Sequence, residues 1–242
     1  MLLVGGEVAR SVCIEMGADI TGAGIMALAG SGLSVQHLIL RWDPLAATGC
    51  VRASEISELG SLPQLESVLF ESSIDEDLTP AIAAIAQCHT LSKLSVVECL
   101  ADAEDCLAAI SACDSLRHLE WRAFATDVAV YELVRGGSAL EHISLSAYGE
   151  TGLTDDAVFA LAQRCPHLVS LSLSSEDGIT DAVLVLLESL PKLRRLDVRR
   201  CALLTAPAIH ALSQRRPCLR VLSTHMKPLG CPQHADAYCS DE

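Results

Sequence analysis

Residues 193–201 read LRRLDVRRC, with apolar side chains at Leu193, Leu196 and Val198. The spacing is apolar-x-x-apolar-x-apolar, and it recurs along the chain. The eight copies start at Val35, Leu65, Leu91, Leu116, Leu140, Leu168, Leu193 and Leu219, at intervals of 30, 26, 25, 24, 28, 25 and 26 residues. A weaker copy starts at Ala9, 26 residues before Val35. A period of about 20 to 50 residues indicates a repeat protein, in which stacked units share one core because a single unit cannot bury its apolar side chains.

A second pattern, with helical spacing, lies between the copies. A threonine is followed by apolar residues four and seven positions later, as in Thr126, Val130 and Leu133. Other copies start at Thr21, Thr154 and Thr205, with a variant at Thr180 and a threonine-proline start at Thr79. Threonine caps a helix well because its hydroxyl accepts a hydrogen bond from a free backbone N–H. The aspartates that follow three of these threonines, Asp127, Asp155 and Asp181, suit the positive end of the helix dipole.

Each unit therefore reads as strand, turn and helix. The sequence predicts a curved α/β solenoid, with parallel strands on the concave face and helices on the convex face.

The units resemble the cysteine-containing class of leucine-rich repeats, as found in F-box/leucine-rich-repeat proteins and their F-box-lacking relatives. That class often carries a cysteine eight residues after the first leucine, and often Cys-Pro-x-Leu before the strand. The cysteines at such repeat positions are Cys88, Cys99, Cys113, Cys165 and Cys201. The resemblance covers nearly the whole chain. It implies one leucine-rich-repeat domain of about eight to nine repeats over residues 1–227, followed by a tail of residues 228–242.

The cysteines also bear on the cellular compartment. Five of the eleven occupy repeat positions, where the family buries a small apolar thiol. Buried free thiols imply a reducing compartment, so we expect an intracellular protein of the cytoplasm or nucleus, with an organelle interior left open. The longest stretch without a charged residue, Ile20 to Leu40, is too polar to cross a membrane.

The charge is divided unevenly along the chain. Its net charge of −14 argues against general affinity for nucleic acid or an anionic membrane. Residues 1–190 hold 27 acidic and 8 basic side chains, a balance of −19, whereas residues 191–227 hold 1 acidic and 9 basic, a balance of +8. The C-terminal repeats therefore form a basic end on an acidic protein.

The sequence shows no catalytic motif. It lacks a glycine-rich phosphate loop, a Gly-x-Ser-x-Gly turn and a His-Glu-x-x-His pair, so we expect no enzyme activity, no cofactor and no metal. The tail does hold His225, Cys231, His234 and Cys239. Two interpretations stay open for these four residues, a zinc site and an acidic tail with incidental cysteines.

Side chains alternate across a strand, so the residues between the core positions face the concave surface. Serines fill its middle, with charged and imidazole side chains on either side. The candidate partner-binding residues are His118, Glu120, Arg122, His142, Arg195, Asp197, Arg199 and Arg200. They form either a merely solvated face or a docking patch for an acidic protein or an RNA backbone.

The sequence thus predicts a non-enzymatic protein-interaction or scaffold module. We expect its partners to be other proteins within a larger complex, and we expect no binding to a membrane. The resemblance implies the substrate-recognition arm of a ubiquitin-ligase-type complex, and a structural subunit of a larger assembly is an equal reading. The first repeat-like segment starts by about residue 9, so we expect no F-box ahead of it. The alternative function is a nucleic-acid-contacting scaffold subunit of a ribonucleoprotein, acting through the basic C-terminal repeats.

Overall fold

The computed structural model describes residues 10–16, 21–42, 52–71, 77–98, 102–135, 139–146 and 152–224. Within them, nine parallel strands form one sheet in chain order. The strands are β1 Ser11–Met16, β2 His37–Trp42, β3 Ser67–Glu71, β4 Lys93–Val97, β5 His118–Arg122, β6 His142–Leu145, β7 Ser170–Ser172, β8 Arg195–Asp197 and β9 Arg220–Leu222. The helices are α1 Gly22–Ala29, α2 Ala53–Ile56, α3 Thr79–Ala86, α4 Ala103–Ile110, α5 Asp127–Val134, α6 Asp155–Arg164, α7 Ala182–Leu187 and α8 Ala206–Arg215. A 3₁₀ helix, Ser57–Ser61, continues α2.

The strand register confirms the predicted repeat. Core residues of neighbouring copies lie side by side, for example Leu171 beside Ile143 and Leu196. These side chains are buried and belong to one continuous hydrophobic core, which the helices cover. The weak first copy forms β1, where Val12 lies beside Leu38.

Four helices start at a threonine of the predicted pattern, whereas the residue before α7 is Asp181, one position after the predicted Thr180. The hydroxyls of Thr21, Thr126, Thr154 and Thr205 each accept a backbone N–H at their helix start, at 3.1–3.4 Å. The predicted cap at Thr79 is wrong, because this residue is already helical and Leu78 precedes the helix. Its hydroxyl instead donates to the Asp77 carboxylate at 2.5 Å and accepts the backbone N–H of Asp102, in the following repeat, at 2.9 Å.

The aspartates beside these caps join one repeat to the next. Both carboxylate oxygens of Asp127 accept hydrogen bonds from the following repeat, from the backbone N–H of Thr154 at 2.9 Å and from its hydroxyl at 2.6 Å. The same arrangement links Asp155 to Thr180 and Asp181 to Thr205. We call these three contacts the aspartate–threonine clasps. From the sequence, these aspartates were expected only to favour the helix dipole, so the contacts between repeats were not predicted.

The last strand corrects the sequence pattern. That pattern placed Leu222 at the core position next to Leu196, but the partner of Leu196 is Val221. Leu219 is still buried, and its backbone N–H donates to the carbonyl of Arg216 in the same kind of turn that precedes β8. The segment between this turn and β9 is one residue shorter than the corresponding segment before β8. Val221 and Leu222 are both half-buried, so the apolar pattern alone does not separate the two registers.

Candidate functional site

The parallel register aligns the concave side chains into rows that run across the strands. The first row, at the N-terminal ends of the strands, is Ser11, His37, Ser67, Lys93, His118, His142, Ser170, Arg195 and Arg220. We call it the N-terminal row, and it contains no acidic residue. The middle row, two residues further along each strand, contains Glu120 and Asp197. Arg220 was not among the predicted residues, because the expected register of the last copy turned it away from the concave face.

Strands β4 to β8 enclose an open groove of about 570 Å³ on this face. All eight candidate residues line it: His118, Glu120, Arg122, His142, Arg195, Asp197, Arg199 and Arg200. Lys93, Leu119, Ile143 and seven serines complete the wall. Five cationic side chains and two carboxylates therefore border the groove, although the chain as a whole carries −14. The structure brings the predicted residues together on one surface.

Asp197 and Arg199 form a bidentate pair at the floor of the groove. Arg199 donates to the two carboxylate oxygens from Nε at 2.9 Å and Nη2 at 2.7 Å, and its backbone N–H adds a third bond at 3.2 Å. The Asp197 side chain is only 8% exposed, whereas that of Arg199 is 57% exposed. Burial alone would raise the pKa of Asp197, but the hydrogen bonds from Arg199 outweigh it and hold that pKa below its ordinary value. Arg199 is thus fixed in orientation, with its charge largely balanced.

Arg200 lies at the rim of the groove in a left-handed backbone conformation, with φ of 61°. Its Nε and Nη2 both donate to the hydroxyl of Ser175, at 2.8 and 2.6 Å. Ser175 holds the equivalent place in the preceding repeat and also has a positive φ, of 70°. A guanidinium fork of this kind is suited to two oxygens of an anion, and here a single neutral hydroxyl occupies it.

His118 and His142 stack on each other in the N-terminal row. Their ring centroids are 4.3 Å apart and the rings are 5° from parallel. Partial burial lowers the pKa of both imidazoles, and for His118 the neighbouring His142 and Lys93 lower it further. Both rings are therefore neutral near pH 7, and the groove can gain charge on acidification.

Arg195 lies in the same row, with Ser170 on one side and Arg220 on the other. Both arginines are exposed. Among the described residues, no carboxylate forms an ion pair with either of them. Their guanidinium groups are the available cations of the site.

Other arginines of the basic end serve the fold. Arg216 donates to three backbone carbonyls of the preceding repeat, at Glu188, Leu190 and Leu193, over 2.6–3.1 Å. Arg215 pairs with the side chain of Glu188. The charge reversal seen in the sequence therefore comprises two groups, one holding the turns between repeats and one facing the groove.

The cysteines at repeat positions are small core residues where the structure describes them. Cys88, Cys165 and Cys201 are buried, Cys113 is half-buried, and Cys99 lies outside the described residues. The Cys201 thiol donates to the carbonyl of Leu173 at 3.0 Å, and burial raises its pKa. Burial also raises the pKa of Cys106, to about 12.

Within the described ranges, no group of three or more His, Cys, Asp or Glu side chains is placed to hold a metal ion. The tail residues His225, Cys231, His234 and Cys239 lie outside those ranges. No helix in the described part of the chain is long and apolar enough to cross a membrane.

No protein-family model and no curated protein matches this chain. Among solved structures, it is similar to an internalin from Listeria monocytogenes, with 21% identity and a TM-score of 0.54. The match covers 82% of this chain and 50% of the internalin, so the chain spans about half the length of that protein. At this identity the likeness concerns the fold alone. Together with the sheet and its register, it identifies the chain as an α/β leucine-rich-repeat solenoid.

Proposed function

We propose that this chain is a non-enzymatic protein-interaction module, whose concave groove binds an acidic segment of another protein. The observation that carries the proposal is the charge of the groove. Five cations and two carboxylates line it, on a protein whose net charge is −14. An acidic partner would be repelled by most of the surface and attracted at this one face.

Arg195 and Arg199 are the proposed main contacts. Arg195 forms no ion pair among the described residues, and Arg199 is held in place by Asp197 with more than half of its side chain exposed. A fixed arginine loses less conformational freedom on binding than a mobile one. Arginine is also enriched among binding hot spots, because its planar fork matches a carboxylate.

We further propose that the partner belongs to a larger assembly in a reducing intracellular compartment. The chain would act there as a structural subunit, or as the substrate-recognition arm of a ubiquitin-ligase-type complex. The resemblance of its repeats to those of F-box/leucine-rich-repeat proteins supports the second role, and the buried thiols support the compartment.

The second candidate function is a nucleic-acid-contacting scaffold of a ribonucleoprotein, since an acid-free N-terminal row could follow a phosphate backbone. Against it, the described concave rows contain no Phe, Tyr or Trp side chain on which a base could stack, since Phe70 and Trp121 are buried in the core. The peptide is therefore the favoured ligand.

The test is fluorescence anisotropy with a labelled peptide of alternating glutamate and serine, about twelve residues long, against a glutamine–serine control peptide. We expect the double variant R195A/R199A to weaken binding by more than about 2 kcal/mol, the usual threshold for a hot spot. S170A/S172A should weaken binding less, since each serine offers only a neutral hydroxyl.

A single-stranded oligo-dT forms the third arm. Tighter binding of this oligonucleotide than of the peptide, with a steep loss as salt rises, would favour the ribonucleoprotein role instead. A larger effect of the serine pair than of the arginine pair would move the site to the centre of the groove.

A further inference from the structure

We propose that the acidic segment lies across the strands along the N-terminal row, from His118 to Arg220, and that its binding is coupled to proton uptake by the stacked His118–His142 pair. This inference rests on the proposed function and adds the path of the ligand and its regulation by pH.

The path follows from where charges of each sign lie. The N-terminal row offers His118, His142, Ser170, Arg195 and Arg220 on five successive strands, with no carboxylate among them. Neighbouring strands are about 4.8 Å apart, so the row spans roughly 19 Å. An extended segment of about six residues covers this length, with alternate side chains facing the sheet.

The negative charge of the middle row confines an anionic ligand to the N-terminal row. Its Glu120 and Asp197 stand two residues beyond His118 and Arg195 on the same strands, so an acidic ligand centred there would meet like charge. The cations beyond them are partly balanced already. Arg122 lies 3.9 Å from Glu120, and Arg199 lies 2.7 Å from Asp197. The unbalanced positive charge is on the N-terminal row.

The stacked pair is the part of the row that responds to pH. Around it stand Lys93 on β4, Arg117 and Glu120 on or beside β5, Glu141 beside β6, uncharged Ser170 on β7 and Arg195 on β8. Glu141 favours the protonated form of both rings, but it also contacts Arg117 at 4.0 Å, which balances part of its charge. The free pair thus lacks a dedicated counter-charge.

A ligand carboxylate over the two rings would supply that charge. It would raise the pKa of the pair in the complex relative to the free protein. By linkage, a ligand that raises the pKa of a group binds more tightly as the pH falls through that range.

The first test compares peptide affinity at about pH 7.5 and about pH 5.5, where glutamate, with an ordinary pKa of about 4.3, stays ionised. We expect the glutamate–serine peptide to bind the unaltered protein at least about fivefold more tightly at the lower pH, since each added ion pair strengthens binding modestly. His118→Gln/His142→Gln should reduce this ratio to below about twofold. Thermal melts at both pH values verify that each protein is folded.

The second test locates the ligand. Arg220→Ala should weaken binding at pH 7.5 at least about fivefold, and more than Arg122→Ala, which removes a groove cation outside the N-terminal row. Equal or larger loss with Arg122→Ala would overturn the proposed path, and an unchanged pH ratio in the histidine variant would overturn the coupling. Absence of peptide binding at both pH values would instead refute the proposed function itself.

Discussion

Arginines lie at both ends of the concave sheet, but in opposite electrostatic surroundings. At the N-terminal end, Arg41 on β2 lies between two acids, 2.8 Å from Glu71 and 3.9 Å from Glu15. At the C-terminal end, Arg195 and Arg220 lie side by side on β8 and β9, and no described carboxylate pairs with them. Arg41 lies four residues further along its strand than His37, the member of the N-terminal row that corresponds to Arg195 and Arg220, so both the position and the neighbours differ. The carboxylates beside Arg41 balance its charge, whereas the charges of Arg195 and Arg220 are available to a ligand.

The adjacent positive charges of Arg195 and Arg220 destabilise the free protein. Like charges directly opposite each other on neighbouring strands destabilise a sheet by up to about 1 kcal/mol. An anionic ligand would relieve that repulsion, whereas at Arg41 it would have to displace Glu71. Four experiments separate what the two ends share from what distinguishes them.

The largest effect concerns what they share, the core. Leu38 on β2 and Leu171 on β7 are both 1% exposed or less. Replacing either leucine with alanine should lower the free energy of unfolding by about 2–5 kcal/mol, because a cavity is left behind. Urea titration measures the loss, and hydrogen exchange should show reduced protection in the adjacent repeats.

The matched control is Val185→Ala on the exposed face of α7, expected within about 0.5 kcal/mol of the unaltered protein. A loss below about 1 kcal/mol for Leu171→Ala would contradict its place in a close-packed core.

The next effect concerns the difference between the ends. Arg195→Ala should weaken binding of the glutamate–serine peptide by at least about 1.4 kcal/mol, a factor of ten, whereas Arg41→Ala should change it by less than about 0.3 kcal/mol. Arg41 is a suitable control because it is a concave arginine outside the groove. Anisotropy titrations at low and high salt measure both. Equal losses would mean that general charge attraction, rather than pairing, decides where the ligand binds.

A smaller effect is expected for the stability of the Asp197–Arg199 pair. Arg199→Ala leaves a nearly buried carboxylate without its main donors, so we expect a loss of about 1 kcal/mol in the free energy of unfolding, limited by the exposure of the arginine. Arg41→Ala should cost less, because Glu71 stays solvated. Asp197→Asn combined with Arg199→Ala should recover part of the loss. No recovery would show that the carboxylate is not what the arginine stabilises.

The smallest effect is the pH dependence of the free protein. The pKa values of His118 and His142 are lowered in the fold, so below about pH 6.5 the unfolded chain binds protons more readily than the folded one. The stability contributed by the neutral pair is present above that pH and is lost as the pH falls through it. We therefore expect the difference in melting temperature, that of the variant His118→Gln/His142→Gln minus that of the unaltered protein, to increase as the pH is lowered from 7.5 to 5.5. A relative loss would show that the pair is stabilised by protonation.

Much of this molecule could be predicted from its sequence, because the repeat applies one rule many times. The core spacing and the threonine caps at Thr21, Thr126, Thr154 and Thr205 are local patterns, and the structure bears them out. The groove residues also follow from alternation along the strands.

What escaped prediction depends on contacts between repeats. Arg195 and Arg199 lie two residues to either side of Asp197, yet only Arg199 donates hydrogen bonds to its carboxylate, and the spacing does not show which of the two pairs. The position of Arg220 was missed because two apolar residues in β9 fit either register. At Thr79, a nearby carboxylate decides where the hydroxyl bonds, and spacing carries no information on that.

The aspartate–threonine clasps have a mechanical consequence. Each carboxylate accepts hydrogen bonds from both the backbone N–H and the hydroxyl of the threonine in the next repeat. Along α5 to α8, these bonds fix the distance between the helix starts of successive repeats. A solenoid whose units are joined at their helix starts resists being flattened or splayed there. We expect the C-terminal half to behave as a stiff arc whose radius is set before any ligand arrives, so that a bound segment must fit the curvature of the protein rather than impose its own.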